Sequence, residues 1–353
     1  MHDGAALTGK MVAQILSSQR FATPWRSVQG TDTTVIFECD TPMPTLPSLL
    51  ASSDYGIARR ATDGTLIATG PFKMSGSATL SATLITNDDY WGGRPYVDRI
   101  EISGGRAVRS QWLDLSVGRA DVAEVPGEYL RRAQQDHLHT SLLANQELVL
   151  LTVSPQVTDL NLRRAISASI DRAALANVVF QKEGQASATL LPNSMTGYGA
   201  LIPAIFDPAL ARNLRSQAYN VPPLTIAYDP NDAALQLAAE RIALNARDAG
   251  ISVQAFPSNL QSQPALRLQR IVLPSTDPAS CLVELQRDLT GQYLQPSPDL
   301  ASLFQQEKDV LDQAQLIPLV QLPVNLANSD RVHDYEKFQD LRGLDDLWIE
   351  ERR

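Results

Sequence analysis

The sequence has few cysteines and no long hydrophobic run, and each absence excludes a class of protein. Cys39 and Cys281 are its only cysteines, which excludes a disulfide-stapled scaffold and a CxxC metal site. No stretch approaches the roughly 18 consecutive apolar residues of a membrane-spanning helix. The longest apolar runs, such as residues 148–151, have the length of a strand. The first eight residues lack the basic start and apolar core of a secretory signal.

Basic residues are fewer than acidic ones, and this imbalance argues against a nucleic-acid partner. The 30 lysines and arginines and the 39 aspartates and glutamates leave a formal net charge of −9, and such a surface repels phosphate backbones. Apolar residues make up 44% and charged residues 20% of the chain, which is typical of globular proteins. At roughly 150 residues per domain, the length of 353 residues predicts two domains.

Catalytic motifs are also missing. The sequence has no GxSxG elbow, no Walker loop, no GxGxxG after a strand and no HExxH. His137 and His139 would point to the same side of an extended segment, where they could share a metal ion beside Asp136. A metal-dependent hydrolase that uses His137 and His139 is therefore an alternative function, although two histidines in a polar segment more often form a solvated loop.

The pattern of apolar residues changes along the chain. Apolar residues from Met11 to Leu16 recur at helical spacing and predict a helix over residues 7–18. From residue 31 to residue 114, short β-rich runs separated by Gly and Pro turns predict a sheet. Residues 148–153 predict a buried strand that ends before Pro155.

Beyond Pro155 the sequence predicts mainly helices and one βαβ unit. Residues 224–228 predict a strand, Asn231 or Asp232 can cap a helix through Ala249, and residues 251–256 predict the next strand. Such a unit implies parallel strands with a right-handed crossover. A further strand over 267–273, a helix over 299–313 and a last strand over 316–324 complete the prediction.

Two stretches in the first half of the chain carry a specific pattern. They read Gly70-Pro71-Phe72-Lys73-Met74 and Asn87-Asp88-Asp89-Tyr90-Trp91-Gly92-Gly93-Arg94-Pro95-Tyr96-Val97-Asp98-Arg99-Ile100. They closely resemble the GPFKL and NDDYWGGKPYLDRI signature of the family 5 extracellular solute-binding proteins, which are the dipeptide, oligopeptide and nickel receptors of ABC importers. Later stretches agree in order: 117–123 resemble SGEVDIA, 162–172 resemble VRQALSYAIDR, 191–199 resemble LPPGSPGY, and 317–320 resemble the family's returning strand.

The resemblance implies a fold and its division into lobes. The fold class is α/β, a two-lobed periplasmic-binding-protein-like fold of type II, cluster C-like, with hinge strands. Residues 1–150 would form a β-rich first lobe, 151–318 a second lobe with the βαβ unit, and 319–353 would return to the first lobe. Hinges are expected near 148–154 and 316–322.

The resemblance also implies a function. The protein would be the solute-binding component of an ABC-type importer, which captures a small peptide-like or other small polar solute between its lobes and delivers it to a membrane permease. Such a protein is not an enzyme and uses no cofactor or metal. It acts as a monomer in the periplasm, or outside the cytoplasm anchored to the membrane, and it has no nucleic-acid partner. A sensor or a decayed binding module without a transport role is a further alternative.

The N-terminus departs from the family pattern. His2-Asp3-Gly4 and Leu7-Thr8 match the HDG and LT segment, which in the family normally follows some tens of residues and a leader. We therefore expect a first lobe that is incomplete at its N-terminus, with apolar surface where its strands would be covered.

Five residues are candidates for contact with a ligand: Thr152, Ser154, Trp112, Tyr198 and Asp277. Thr152 and Ser154 lie in the first expected hinge, where relatives often have an NT pair and this chain has Leu151-Thr152. Trp112 and Tyr198 are aromatic residues in or beside predicted loops. Asp277 belongs to a segment that resembles ADYPDP, whose aspartate pairs with the amino terminus of a peptide. Pro274 stands at that anchoring position, so weak binding of ordinary short peptides is expected, and Asp277 can instead cap a helix.

Overall fold

The computed structural model describes residues 1–18, 23–40, 42–51, 55–125, 127–219, 221–258, 264–334 and 344–350. The chain forms two compact units. Unit 1 comprises Met1–Ala144, Tyr293–Pro298 and Asn325–Arg353, and unit 2 comprises Asn145–Gln292 and Asp299–Val324. Two long strands, β9 (His139–Val153) and β14 (Leu316–Asn328), contribute residues to both units. The lobe limits expected from the sequence, 1–150, 151–318 and 319–353, stay a prediction.

Unit 1 begins with a short helix packed on a hairpin. Helix α1 (Gly9–Ser17) starts after Thr8, whose Oγ1 accepts a hydrogen bond from the Met11 amide at 3.3 Å, and this confirms the helix predicted over residues 7–18. Strands β1 (Ser27–Gly30) and β2 (Val35–Glu38) are antiparallel. Helix α1 approaches this hairpin so closely that a Cβ at Gly9 or Gly30 would collide with backbone atoms. Helix α2 (Leu46–Leu50) and the short strands β3 (Arg59–Arg60) and β4 (Leu66–Ile67) follow.

A three-stranded antiparallel sheet comes next, and one of its faces is apolar. Its order is β5 (Phe72–Ala78), β6 (Ser81–Thr86) and β7 (Arg99–Ser103). The register places Leu84 opposite both Met74 and Ile100, and opposite residues share a face of a sheet. This face, which we call the open sheet face, consists of Phe72, Met74, Ala82, Leu84, Ile100 and Ile102. None of the six side chains is fully buried: Met74 and Ile102 are exposed and the other four are half-buried.

The remainder of unit 1 gathers around two small apolar clusters. Helix α3 (Val108–Ser116) and helix α4 (Gly127–Gln135) share a cluster that includes Trp112 and Ala133. Strand β8 (Val122–Glu124) pairs with residues 326–328 of β14. Strands β15 (Val332–His333) and β16 (Trp348–Ile349) pair with each other beside the second cluster, which contains Leu326, Val332 and Leu347.

Unit 2 is built on a mixed sheet. The sheet has the order β10-β14-β9-β13-β11-β12, with β10 (Gln185–Ala186), β11 (Leu224–Tyr228), β12 (Val253–Pro257) and β13 (Leu266–Val272). Strand β11 is parallel to both β12 and β13, whereas β13 is antiparallel to β9. Helix α9 (Ala233–Asp248) connects β11 to β12, which confirms the βαβ unit predicted over residues 224–256.

Aspartates begin most of the helices of unit 2. The helices are α5 (Leu160–Ser169), α6 (Arg172–Ala174), α7 (Asn193–Thr196), α8 (Pro208–Gln217), α9, α10 (Pro278–Thr290) and α11 (Leu300–Asp312), together with a π-helical turn (Leu175–Val179) and a 3-10 turn (Gly199–Leu201). The N-caps that accept backbone hydrogen bonds are Asp159, Asp171, Asp207, Asp232, Asp277 and Asp299. Each such cap stabilises its helix by about 1 kcal/mol. Among the described residues, no helix is long and apolar enough to cross a membrane.

A large apolar cluster joins the unit 2 sheet to helices α5 and α9. Strand residues such as Leu151 and Ile226 pack with Ile166 of α5 and Ile242 of α9 in one continuous cluster, and all four are fully buried. The buried run at 148–153 agrees with the strand predicted there. Helices thus cover the sheet and leave its strand ends as the accessible parts.

Candidate functional site

The carboxyl ends of three parallel strands point towards the same side of the unit 2 sheet. Strands β11 and β12 end at Tyr228 and Pro257, level with Leu268, and β13 continues for four more residues to Val272. The antiparallel register of β9 places Glu147 opposite Val272, so Glu147 lies at the same edge. Ligands of open α/β sheets bind outside the carboxyl ends of the strands. This edge, which we call the carboxyl edge, is therefore the candidate site.

Two helices begin at the carboxyl edge because each follows one of these strands. Helix α9 follows β11, and Oδ1 of its cap Asp232 accepts a hydrogen bond from the Leu235 amide at 3.0 Å. Helix α10 follows β13, and Oδ2 of its cap Asp277 accepts bonds from the Ser280 amide at 2.9 Å and from the Ser280 hydroxyl at 2.7 Å. The N-terminus of a helix carries partial positive charge, so both carboxylates are favourably placed.

Arg270 connects the elements that meet at this edge. Its Nη1 lies 3.2 Å from Oε2 of Glu147, and its Nε lies 3.2 Å from Oδ2 of Asp232. The guanidinium carbon is 5.8 Å from the ring centroid of Phe180. The guanidinium thus lies within ion-pair distance of two carboxylates and beside an aromatic ring, contacts that restrict its position.

The members of this cluster differ in their exposure to solvent. The Glu147 side chain is 6% exposed, whereas those of Arg270 and Asp232 are 22% and 23% exposed. Glu147 is held inside and Asp232 stands at the surface, which makes the Arg270–Asp232 pair the part that a solute can reach.

Strained backbone holds the aromatic ring of the site. Phe180 follows a π-helical turn and precedes Gln181 and Lys182, which have φ of 50° and 67°. At Gly184 a Cβ would collide with the carbonyl oxygen of Gln321, so only glycine allows this approach to β14. Strained conformations and π-turns concentrate at functional sites.

Thr152 and Ser154 lie beside the start of β13, and Thr152 is level with Ala227 of β11. Thr152 is opposite Arg267 at the start of β13, and its Oγ1 is 3.0 Å from Nε2 of Gln269. The Ser154 amide donates to the Ala265 carbonyl at 2.9 Å. Arg267, the residue opposite Thr152, is five residues before Val272, which is a distance of about 17 Å along β13. The structure therefore groups Asp277 with Glu147 and Val272 at the end of β13, and it places Thr152 and Ser154 near the start of that strand.

Tyr198 contacts a buried carboxylate. Its hydroxyl donates to Oε2 of Glu307 at 2.6 Å, and Oε1 of Glu307 accepts from the amides of Leu190 and Leu191 at 2.6 and 3.0 Å. Burial raises the pKa of Glu307, although these hydrogen bonds oppose the shift. Burial and the adjacent carboxylate also raise the pKa of Tyr198. Tyr198 thus ties the segment before it to α11.

Trp112 and the two histidines lie in unit 1. Trp112 is buried and packs against Tyr129, with ring centroids 5.3 Å apart, and against Arg132. His139 is exposed and lies 3.4 Å from Asp330, while His137 occupies a turn with φ of 58°. Within the described residues, no group of three or more His, Cys, Asp or Glu side chains could hold a metal ion.

The sequence analysis did not identify Arg270, Glu147 or Glu307 as functional or structural centres. Glu147 directly precedes the apolar run 148–153, and a carboxylate at the start of a buried strand is a signal of a buried pair. Arg270 sits in an alternating strand without a motif. Its partners Glu147 and Asp232 lie 123 and 38 residues earlier in the sequence, so proximity in the sequence could not connect them.

The sequence matches a known family over most of its length. The model of the bacterial extracellular solute-binding proteins, family 5 Middle, matches residues 19–265. No curated protein matches the chain.

Solved structures of similar fold share little sequence with the chain. The binding protein AgaA of A. tumefaciens R10, in complex with agropinic acid, has a TM-score of 0.83 at 18% identity, with 100% of this chain and 85% of AgaA covered. NikA of Staphylococcus aureus, in complex with Ni(L-His)2, has a TM-score of 0.79 at 15% identity, covering 94% and 82%.

A peptide receptor has the same fold. The oligopeptide-binding protein AppA of Bacillus subtilis, in complex with a nonapeptide, has a TM-score of 0.76 at 15% identity, covering 99% of this chain and 85% of AppA. These likenesses show the two-lobed α/β fold of periplasmic binding proteins. With the family match over residues 19–265, they confirm the resemblance drawn from the sequence: the chain belongs to family 5 of the bacterial extracellular solute-binding proteins, the binding components of ABC importers.

Proposed function

We propose that the carboxyl edge of unit 2 binds the solute that this protein carries to its permease. The observation that supports the proposal is Arg270, which Glu147, Asp232 and Phe180 fix at the strand ends. A preorganised charged group beside two helix N-termini is a feature of sites that bind polar molecules. Asp277 belongs to the same edge and contributes a third carboxylate.

The solute in this proposal is a small polar molecule, peptide-like or of another class, that carries charged groups. The cluster offers charges of both signs, and the similar structures hold agropinic acid, a nickel–histidine complex and a nonapeptide. The protein works as a monomer on the outer side of the membrane, in the periplasm or anchored to the membrane. It releases the solute unchanged, as a transport receptor and not as an enzyme.

A thermal-shift screen of peptides, opines, sugars and nickel–histidine complexes tests the proposal. A ligand at 100 times its dissociation constant adds about 2.7 kcal/mol to the stability of the folded state, so a true solute raises the melting temperature. Its affinity is then measured by calorimetry for wild type, Arg270→Gln and Asp232→Asn. Asparagine caps helices as well as aspartate does, so the second variant removes a charge and keeps α9.

Both variants should weaken binding at least tenfold. Asp248→Asn, at an exposed position on the last turn of α9, is the matched control and should bind as wild type does. Wild-type affinity in Arg270→Gln and Asp232→Asn would reject the carboxyl edge as the site. Conversion of the bound solute to a product would reject the receptor function.

A further inference from the structure

An exposed apolar segment of unit 2 leads into helix α8. Four large apolar side chains within it are exposed to solvent: Leu201 (69%), Ile205 (53%), Phe206 (45%) and Leu210 (41%). The consecutive residues 203–206 are all exposed, so this part of the chain projects from the surface. Contiguous apolar groups on the surface of a soluble protein mark sites of interaction. We call residues 201–210 the apolar loop.

The backbone of the apolar loop is fixed on its inner side. Arg172 is buried, and its guanidinium donates to the carbonyl oxygens of Ile205 at 3.4 Å and Pro318 at 2.8 Å. The Asp207 amide donates to the Ala168 carbonyl at 3.0 Å. These bonds attach the loop to the body of unit 2, so its apolar side chains stay in solvent and do not fold onto the core.

The charged groups beside the apolar loop favour a partner that carries phosphate. Residues 199–217 contain one aspartate and two arginines. The carboxylate of Asp207 accepts hydrogen bonds from the first amides of α8. Arg212 is exposed and pairs with no carboxylate in the described part of the chain, while Nε of Arg215 donates to the Gly250 carbonyl at 3.1 Å. A free guanidinium therefore follows the apolar side chains.

The spacing along α8 matches the layers of a bilayer surface. A rise of 1.5 Å per residue places Arg212 about 6 Å and Arg215 about 10 Å beyond Pro208 along the helix axis. Apolar side chains of interfacial segments enter the boundary of headgroups and acyl chains to a depth of about 5–10 Å. With α8 directed away from the bilayer, the two guanidiniums lie at the level of the lipid phosphates.

We propose that the apolar loop docks on a phospholipid bilayer. In this contact Ile205, Phe206 and Leu201 enter the headgroup region, and Arg212 pairs with a lipid phosphate, an acceptor that fits the planar fork of a guanidinium. The contact holds the receptor next to the membrane in which the importers of its family lie. It does not depend on where the solute binds.

The shape and charge of the segment favour a bilayer over other occupants. A second copy of the chain carries the same net charge of −9, so two copies repel each other. A protein partner would need a cavity shaped for four projecting side chains, whereas lipids rearrange around them. The acidic character of the whole chain opposes the contact only weakly, because at 0.1 M salt charges more than about 10 Å from the lipid are largely screened.

Co-sedimentation with vesicles of phosphatidylcholine and phosphatidylglycerol, mixed four to one, tests the proposal at about 0.1 M salt. Leu201→Ser and Ile205→Ser should each weaken wild-type binding about threefold or more, and Arg212→Gln should weaken it about fivefold. Ile36→Ser is the matched control in unit 1, because Ile36 and Ile205 are both 53% exposed. Arg241→Gln, at an exposed position of α9, is the control for the loss of an arginine. All replaced side chains are exposed, so the variants should melt as wild type does.

Four results would each overturn the proposal. The first is no binding of wild type to these vesicles, including binding that appears only when the vesicles contain the permease, which would indicate a protein partner. The second is unchanged binding by both Leu201→Ser and Ile205→Ser. The third is an equal loss in Ile36→Ser and Ile205→Ser, which would attribute binding to exposed apolar area in general. The fourth is a wild-type dimer in sedimentation that Ile205→Ser dissociates, which would indicate a second copy as the occupant.

Discussion

The two units of this protein are stabilised in different ways. Unit 2 has a large apolar cluster that joins its sheet to helices α5 and α9, and further buried apolar residues lie on α10 and α11. The described part of unit 1 has three separate small clusters and an open sheet face. Small cores supply little stability, and sheets of two or three strands depend on the elements that cover them. The comparison teaches that most of the folding free energy resides in unit 2, which also carries the proposed solute site.

Amide hydrogen exchange provides the direct measure of this difference. Residues of β9 and β11 in unit 2 should exchange only through global unfolding, and those of β5 to β7 through local opening.

Leu151→Asn should destabilise unit 2 strongly. Leu151 is fully buried in the core, so the substitution removes apolar contacts and buries an amide. We expect a loss of about 3–5 kcal/mol in the free energy of unfolding, measured by urea denaturation. Leu151→Met, which conserves volume, should cost less than about 1.5 kcal/mol. A small effect of Leu151→Asn would show that the core of unit 2 is not continuous at this position.

Glu307→Leu should cause the next largest loss of stability, because it leaves three hydrogen-bond donors without their acceptor. The amides of Leu190 and Leu191 and the hydroxyl of Tyr198 all donate to this carboxylate. Loss of these bonds should cost about 2–4 kcal/mol. Glu307→Gln keeps an oxygen for both amides and lets its NH2 donate to the Tyr198 oxygen, so it should be at least as stable as wild type at pH 7.

Wild type and Glu307→Gln should differ in how the free energy of unfolding depends on pH. Burial raises the pKa of Glu307 in the folded state, above the unfolded value of about 4.3. The folded state therefore binds the proton more tightly, and wild type gains stability as the pH falls through the folded pKa towards the unfolded one. Glu307→Gln lacks this gain. Its advantage should be largest at neutral pH and vanish below about pH 4; an advantage that grows on acidification would contradict the assignment.

Asp277→Ala should have a moderate effect through helix α10. The side chain caps this helix by accepting bonds from the Ser280 amide and hydroxyl, and loss of a cap costs about 1 kcal/mol. Asp277→Asn should retain stability. In calorimetry with an identified solute, Asp277→Asn then reports the contribution of the charge alone, because the helix is unchanged.

Ile102→Lys in unit 1 should alter stability least and surface properties most. Ile102 lies on the open sheet face and is 46% exposed, so the free energy of unfolding should change by less than about 0.5 kcal/mol. Binding of the dye ANS should fall, because the charge interrupts the apolar face. Ile85→Lys, on the opposite face of the same sheet, is the control and should leave dye binding unchanged. Equal effects of the two variants would mean that the open sheet face is not a distinct apolar surface.

Much of unit 2 could be predicted from the sequence because its signals are local. The βαβ unit over 224–256 has a cap at Asp232, apolar spacing along the helix and Gly250 with φ of 80° at the helix end. Each of these acts over a few residues, so periodicity and turn chemistry reveal it. The family resemblance rested likewise on contiguous residues, and the match over 19–265 confirmed it.

The roles of single residues were harder to predict, because they depend on contacts between residues that are far apart in the sequence. Tyr198 was expected to contact a ligand, whereas its hydroxyl meets a carboxylate 109 residues later. Whether Thr152, Ser154, Trp112, Tyr198 and Asp277 contact a solute stays a prediction, as do the hinges. An aromatic ring or a hydroxyl has the same signature in a sequence whether it binds a ligand or packs inside.

The family, the α/β class and several helix starts are evident in the amino-acid sequence, since these depend on neighbouring residues and short-range sterics. The pairing of Arg270 with Glu147 and Asp232, and the contact of Glu307 with Tyr198, emerge only in the folded chain. Burial and charge pairing act through space, and the chain brings such groups together only when strands and helices have packed.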